Sequence, residues 1–293
     1  MNDYLVKAYA YGGTVRVYGA CTTNLVEEAR IIHDTFPAAT AAFGRVLTAA
    51  VIMGAMYKED QTLTIRIDGG GPIGGIVVTT NASGEVRGYV GNPHVHGSTN
   101  DGKLAVGFVV GSNGFIHVTK NLNVRNIFTS SAELQTGEIA EDFTYYFSMS
   151  EQIPSAVGLG VLVETDNSVL SAGGFILQVM PGAKSETLDE IEANIKAMKP
   201  VSELIRSGHT PEMIVNEITR GKHELVERLD LNYRCDCTRE RFSAGLASLG
   251  RTELEAMIAE DRPIETVCHF CNKKYMFAVD ELKSLLPDDP VKI

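Results

Sequence analysis

Positive charge is in short supply in this chain of 293 residues: 26 lysines and arginines face 37 aspartates and glutamates, a formal net charge of -11. That balance opposes non-specific binding to nucleic acid or anionic lipid. A long apolar run is also missing. The most apolar stretch, residues 36–57, is broken by Arg45 and leaves 11 uninterrupted residues at 46–56, short of the ~18 needed to span a membrane. It reads instead as a buried helix. The opening MNDYLVKAYAYGG has neither a basic lead-in nor an apolar core segment, so no secretory signal is expected and an acidic cytoplasmic protein is the default. Catalytic signatures are lacking too: no nucleophile elbow, zincin helix or paired-carboxylate motif gives an enzyme reading a residue to rest on. Internal repeats and low-complexity tracts are absent.

Glycine becomes scarce after position 182, with 24 of 28 glycines at or before it, and the two parts read differently. Up to residue 182 the chain resembles short β segments between turns: TLTIRID, GGIVVTT, AVGFVV, GFIHVT, FTYYFSM, GVLVE and GFILQVM. Helical patterns interrupt them at NLVEEARIIHDT and in the alanine-rich stretch after Pro37, whose small side chains suit burial against a sheet. The expected class is α+β. From Ser185 to Leu231 the period turns helical, with Leu188, Ile191, Ile195 and Met198 on one face and a capping box from Thr187 to Glu190. Thr210 and Pro211 predict an N-cap and first-turn proline for a helix carrying Met213, Ile214 and Ile218. Helices this short draw their stability from packing, which makes this connector a candidate moving part. A further capping box is expected at Thr252 to Glu255.

Four of the five cysteines fall within 37 residues: Cys235 and Cys237 as CDC, then, after 30 intervening residues, Cys268 and Cys271 as CHFC. Without a secretory context this argues for metal or redox chemistry, not a disulfide scaffold. Two close pairs joined by an insert can converge on one tetrahedral ion. Soft thiolates select zinc, and four of them leave no open position for a substrate, so the metal would be structural or regulatory. Four buried thiols gathered by chance and an iron–sulfur cluster are the weaker readings. The CxC limb departs from the CxxC of an ordinary zinc ribbon, and either close pair can form a disulfide once one sulfur is oxidised. Zinc removal is expected to unfold so small a segment.

Cysteines in this arrangement, together with GPIGGI, GEVRGYVGNP, SEQIPSAVGLGV and GGFILQVMPGA upstream, resemble the heat shock protein 33 family along the whole chain. The resemblance implies an ATP-independent holdase chaperone, inactive when reduced and zinc-bound and activated by oxidants with mild unfolding stress. It implies an N-terminal α+β domain at 1–182, a metastable helical linker at 183–231 and a C-terminal zinc domain at 232–293. Cys235, Cys237, Cys268 and Cys271 match the family's ligands of one zinc, and the resemblance implies disulfides Cys235 with Cys237 and Cys268 with Cys271 after oxidation. Unfolding client proteins would be the partners, at residues the resemblance does not identify, with a homodimer in the activated state.

Other signals carry less. GSTNDGK at 97–103 has P-loop spacing, but Leu104 replaces the magnesium-binding Ser or Thr and a strand is expected next, so no nucleotide is expected. GGGPIGG at 69–75 reads as a tight turn between strands. His94, His96 and His117 lack a carboxylate at informative spacing and read as surface or loop histidines. Cys21, in VRVYGAC, reads as a small buried hydrophobe. The rival is a zinc-ribbon-like nucleic-acid-binding or regulatory protein. Residues 232–293 hold nine basic and eleven acidic side chains and lack the basic footprint it needs.

Overall fold

The computed structural model describes residues 2–58, 61–98, 104–122 and 127–286. The chain falls into two compact units, Met1–Arg234 and Cys235–Ile293. In the first, β1 (Tyr4–Ala10), β2 (Val15–Cys21), α1 (Thr23–His33) and α2 (Pro37–Gly54) lead into β3 (Thr62–Asp68), β4 (Ile76–Asn81) and β5 (Glu85–Val90). Then come α3 (Val106–Val110), β6 (Phe115–Asn121), β7 (Phe128–Glu133), α4 (Ala140–Met149), β8 (Ser155–Val163) and β9 (Val169–Val179). Helices α5 (Ser185–Ala197), α6 (Val201–Arg206) and α7 (Pro211–Thr219) precede β10 (His223–Asp230) and β11 (Asn232–Tyr233). The second unit contains α8 (Arg239–Ala247), α9 (Arg251–Ala259), β12 (Ile264–Val267), β13 (Lys274–Phe277) and α10 (Val279–Ser284).

Two sheets frame the first unit, one ordered β10-β1-β2-β9-β8 and the other β11-β5-β4-β3-β6-β7. Helix α2 runs between them, packing on β8 and β9 of one and on β3, β4 and β5 of the other. It alone is long and apolar enough to suit a membrane among the described residues, yet 89% of it is buried inside the protein. Its sequence explains this: alanines and glycines let both sheets approach, since a Cβ on Gly44 would stand 2.9 Å from Val161 of β8 and one on Gly54 2.6 Å from the Asn81 carbonyl of β4. The α+β expectation and the buried-helix reading of this stretch both hold.

Helices α5 to α7 cover the opposite face of the first sheet. Val6, Ala8, Val15, Val17, Phe175 and Leu177 from the strands meet Ile191, Val201, Ile214, Val215 and Ile218 from the helices in a second core. The strands make room with glycine: a Cβ on Gly19 would stand 2.7 Å from the Pro211 carbonyl, and one on Gly160 would stand 2.7 Å from Ser202 N. Thr210 caps α7 as expected, its hydroxyl accepting from Met213 N.

Several expected elements are corrected. AVGFVV forms the five-residue helix α3, not a strand; the Val109 and Val110 carbonyls accept from Ile73 and Gly71 of the glycine-rich turn. FTYYFSM belongs to helix α4, because Phe143, Tyr146 and Phe147 bury at spacings of three and four. Helical period does not extend to Leu231: residues 223–230 are strand β10, paired antiparallel with β1 from Tyr4↔Asp230 to Ala10↔His223. HELVERLD carries good helix formers, and pairing with a distant strand overrides them. Neither capping box forms. Helix α5 already begins at Ser185, and the Glu190 carboxylate accepts from Lys222 Nζ at 2.7 Å, not from Thr187. Helix α9 starts after Gly250.

GGGPIGG does form the turn between β3 and β4, with Gly70, Gly74 and Gly75 at positive φ. Most of GSTNDGK (99–103) lies outside the described residues. The helix α3 after it removes one argument against a P-loop, whereas Leu104 in place of Ser or Thr still stands.

Strand β11 fixes where the first unit ends. It runs parallel to β5, pairing Asn232↔Glu85 and Tyr233↔Val86, and Arg234 N donates to the Val86 carbonyl at 2.9 Å. Beyond this two-residue strand the Tyr233 side chain replaces a backbone partner. Its hydroxyl donates to Gly88 O (2.9 Å) and accepts from Gly88 N (3.3 Å), and it meets His33 Nε2 at 3.0 Å. Leu231 and Tyr233 are both buried in the main core. The chain is thus held in the first unit up to the residue before Cys235.

Candidate metal centre

The two cysteine limbs are built differently. Cys268 follows β12, and Cys271 sits in the turn to β13, where Val267↔Lys274 is the last pair of the hairpin. That turn closes on itself: Cys268 N donates to Lys273 O (2.9 Å), while Cys271 N and Asn272 N donate to Cys268 O (3.3 and 2.8 Å). Asn272 takes a left-handed φ of 55°, a conformation asparagine tolerates better than most residues. Cys235 and Cys237 lie on the extended stretch between β11 and α8, just before Thr238, which caps α8 by accepting from Arg241 N.

All four sulfurs lie within 4.8 Å of one another. Cys235 Sγ is 3.7 Å from Cys268 Sγ, and Cys237 Sγ is 3.4 Å from Cys271 Sγ. Four sulfurs placed tetrahedrally at about 2.3 Å from zinc are separated by about 3.8 Å. The cluster therefore has the dimensions and donor set of one Zn2+ site. Among the described residues it is the one group of three or more metal-ligating side chains close enough to share an ion.

Crowding divides the thiols. Burial pushes Cys268 and Cys271 upward. Burial also opposes ionisation of Cys237, but hydrogen bonding with Tyr275 and the neighbouring cysteines outweighs it and brings that thiol down to about 7. Cys237 thus ionises more readily than Cys268 and Cys271, and a bound dication would favour the thiolate in all four. Around them the second unit has a small core of Leu246, Leu254, Tyr275, Phe277 and Leu282. Arg239 stacks its guanidinium 4.4 Å from the centre of the Phe277 ring and donates to Glu281 at 2.7 Å.

The remaining sequence candidates do not converge on a site. His94 Nε2 meets Asp34 Oδ2 at 2.9 Å, and the His94 and His96 rings pack 4.8 and 4.7 Å from Phe36. His117 lies on β6, bonded to Ser131 at 2.7 Å. Cys21 is buried at the end of β2, as expected, with its sulfur 3.8 Å from the His209 carbonyl. Burial, together with the charges of Asp3 and Glu212, pushes its thiol up to about 12. At pH 8 its thiolate fraction should therefore be about 10⁻⁴, against roughly a quarter for an unperturbed cysteine. Alkylation of the reduced protein at pH 8 after chelation, which is expected to unfold the second unit and free its thiols from burial, should modify the four clustered cysteines and leave Cys21 intact, as read by peptide mass; rapid labelling of Cys21 would contradict its burial. Sequence reading missed Tyr275 and Tyr233. Tyr275 left one signal: in KYMF it alternates inward with Phe277.

An α+β body joined to a four-thiolate centre, with no open ligand position and no catalytic constellation at the cysteines, defines a protein whose metal serves structure or redox sensing instead of turnover. The family model described as "Hsp33 protein" matches residues 3–278. A 33 kDa chaperonin of Bacillus subtilis strain 168 is 50% identical over 284 residues, covering 97% of this chain and 98% of the relative. The 33 kDa chaperonin of Staphylococcus aureus strain Newman is 49% identical over 287 residues, covering 97% and 98%. The crystal structure of the 33 kDa chaperonin of Thermotoga maritima, a heat shock protein 33 homolog, superimposes with a TM-score of 0.91 at 36% identity, covering 97% of this chain and 98% of that one. The chain belongs to the Hsp33 family, a family of chaperones, not of enzymes.

Proposed function

We propose that this protein is a redox-switched, ATP-independent holdase that binds unfolding proteins when its cysteine cluster is oxidised. The observation that carries this reading is the convergence of four sulfurs from two distant limbs within 4.8 Å. Cys235, Cys237, Cys268 and Cys271 are the proposed ligands, and zinc bound there would hold them as thiolates and cross-link the two limbs.

Oxidation reverses that arrangement. A thiolate attacks peroxide, the O–O bond breaks, and the sulfur becomes a sulfenic acid as hydroxide leaves and takes a proton from solvent to become the first water. The neighbouring thiol of the same limb then displaces the second water to form a disulfide, so each pair consumes one peroxide. Two sulfur contacts run between the limbs, 235 to 268 at 3.7 Å and 237 to 271 at 3.4 Å, whereas the proposed disulfides, Cys235 with Cys237 and Cys268 with Cys271, lie within them. Switching from one set to the other removes the long-range cross-link and leaves two local ones. The proposed switch segment, expected from sequence at 232–293, then unfolds from Cys235 onward, since Asn232 and Tyr233 are held in the sheet of the first unit.

Residues 183–231 are the proposed coupler and 1–182 the chaperone body. The packing of α5 supports this: Ile191 is its one fully buried side chain, while the apolar face it helps to cover on the first sheet is broad. Loss of α5 to α7 would expose apolar surface to clients. The protein is proposed to act in the cytoplasm, as a homodimer when activated, without nucleotide and without nucleic acid.

The test combines zinc release with light scattering from an unfolding client, before and after hydrogen peroxide with mild heating. Loss of one zinc per chain should accompany aggregation suppression, and reductant should reverse both. Zinc release without suppression would sink the proposal, and filter binding at low salt would then test the nucleic-acid rival.

A further inference from the structure

The CHFC limb makes its own turn from backbone hydrogen bonds, but the CDC limb is steadied from outside. Asp236 pairs with Arg241 at 3.1 Å, and the residue between that ion pair and the helix cap is Cys237. Its partner is Tyr275 of β13. The Tyr275 hydroxyl donates to the Cys237 carbonyl at 2.9 Å and stands 3.3 Å from Cys237 Sγ. One hydroxyl thus touches both the peptide and the sulfur of a single cysteine, fixing the carbonyl direction and the side-chain rotamer together.

Tyr275 is itself rigidly placed. Its backbone pairs with Thr266 across the hairpin, its ring packs 4.9 Å from Phe242, and it is 7% exposed. The hairpin that presents Cys268 and Cys271 therefore also carries the group that sets Cys237. The CxC limb lacks the CxxC spacing of an ordinary zinc knuckle, and the side chain that meets it comes from the hairpin of the opposite limb.

We propose that Tyr275 is a positioning residue of the cysteine cluster, its hydroxyl holding Cys237 in register with Cys268 and Cys271 and so setting how tightly the four sulfurs retain their metal. The inference rests on the reading of the four cysteines as zinc ligands. Hydrogen-bonding partners behind metal ligands commonly change affinity by about 10- to 100-fold when removed, and this hydroxyl contacts the ligand sulfur itself.

The experiment uses the full reduced chain, loaded with zinc or cobalt(II). Tyr275→Phe keeps the ring and deletes the hydroxyl. It is expected to weaken zinc about 10-fold in competition with a chromogenic chelator and to shift the thiolate-to-cobalt charge-transfer band. Phe242→Leu removes the ring that packs on Tyr275 and keeps the hydroxyl; because folding of this unit is linked to metal binding it should lower thermal stability and zinc affinity together, while leaving the cobalt band in place. Tyr275→Phe with wild-type affinity and an unshifted band overturns the inference, as does a cobalt band shifted by Phe242→Leu as much as by Tyr275→Phe. A wild-type chain that takes up no zinc overturns the ligand reading and this inference with it, whereas one zinc bound equally by wild type and Tyr275→Phe overturns this inference alone.

Discussion

Stripped of metal under reducing conditions, residues 235–286 are expected to lose hydrogen-exchange protection while helix α2 keeps its own. Among its described residues the second unit has five buried hydrophobic side chains in its core and helices of six to nine residues. Cores of this size rarely supply more than about 3–5 kcal/mol, and helices so short are marginal alone. Structural zinc in small domains contributes roughly 10–16 kcal/mol at pH 7. Deleting the larger contribution leaves too little to offset chain entropy. Helix α2 depends on none of this, since it lies between two sheets of the other unit. Mass-resolved hydrogen exchange after chelation checks the result, and slow-exchanging amides persisting in β12 and β13 would refute it. Cys268→Ser, which removes one ligand, should produce the same loss at ordinary zinc concentrations.

Asp142→Ala is expected to destabilise the first unit by roughly 4 kcal/mol or more, among the largest effects of any single substitution there. Asp142 is fully buried and gathers the preceding loop around its carboxylate. Oδ1 accepts from Gln135 N (2.7 Å), Thr136 N (3.0 Å) and Gly137 N (3.3 Å), and Oδ2 from Ile139 N (2.8 Å). Alanine would strand these donors, each costing about 1–3 kcal/mol where water cannot reach. It would also release Ile139, a buried β-branched residue held at φ 74°, a strained conformation that persists only where its surroundings impose it.

The damage would spread through Glu138. Its carboxylate pairs with Arg45 of α2 at 2.6 Å and accepts from Gly107 N of α3 at 2.9 Å, so a loosened loop reaches the central helix. Asp142→Asn keeps one carbonyl acceptor but turns an amide toward backbone donors, and should fall between alanine and wild type. Urea unfolding followed by far-UV circular dichroism gives the ranking. A loss below about 1 kcal/mol for Asp142→Ala would mean that the loop is held by other contacts.

Much of the cysteine centre was legible before any coordinates, because ligand spacing is local. CDC and CHFC place two sulfurs in each limb within a few residues, and zinc chemistry restricts what such a set can do. Legibility stopped at Tyr275: nothing in KYMF indicates that its hydroxyl meets a carbonyl 38 residues earlier. In the same way Thr210 and Pro211 announced the start of α7, since a cap needs only its own first turn, whereas AVGFVV and FTYYFSM were ambiguous apolar runs that periodicity could not resolve at six and seven residues.

By itself, then, the sequence determined the properties that depend on composition or near neighbours: the α+β class, the acidic surface, the buried alanine-rich helix, the helix cap at Thr210 and a four-thiolate site. Tertiary structure alone decided that HELVERLD is a strand, that Tyr233 closes the edge of β5 through Gly88, and that Asp142 organises a loop around a strained isoleucine. In each of those cases the deciding partner is a hydrogen-bonding group or strand whose identity is not written in the local pattern. A segment that can be helix or strand takes the form that satisfies its backbone against what the fold brings beside it.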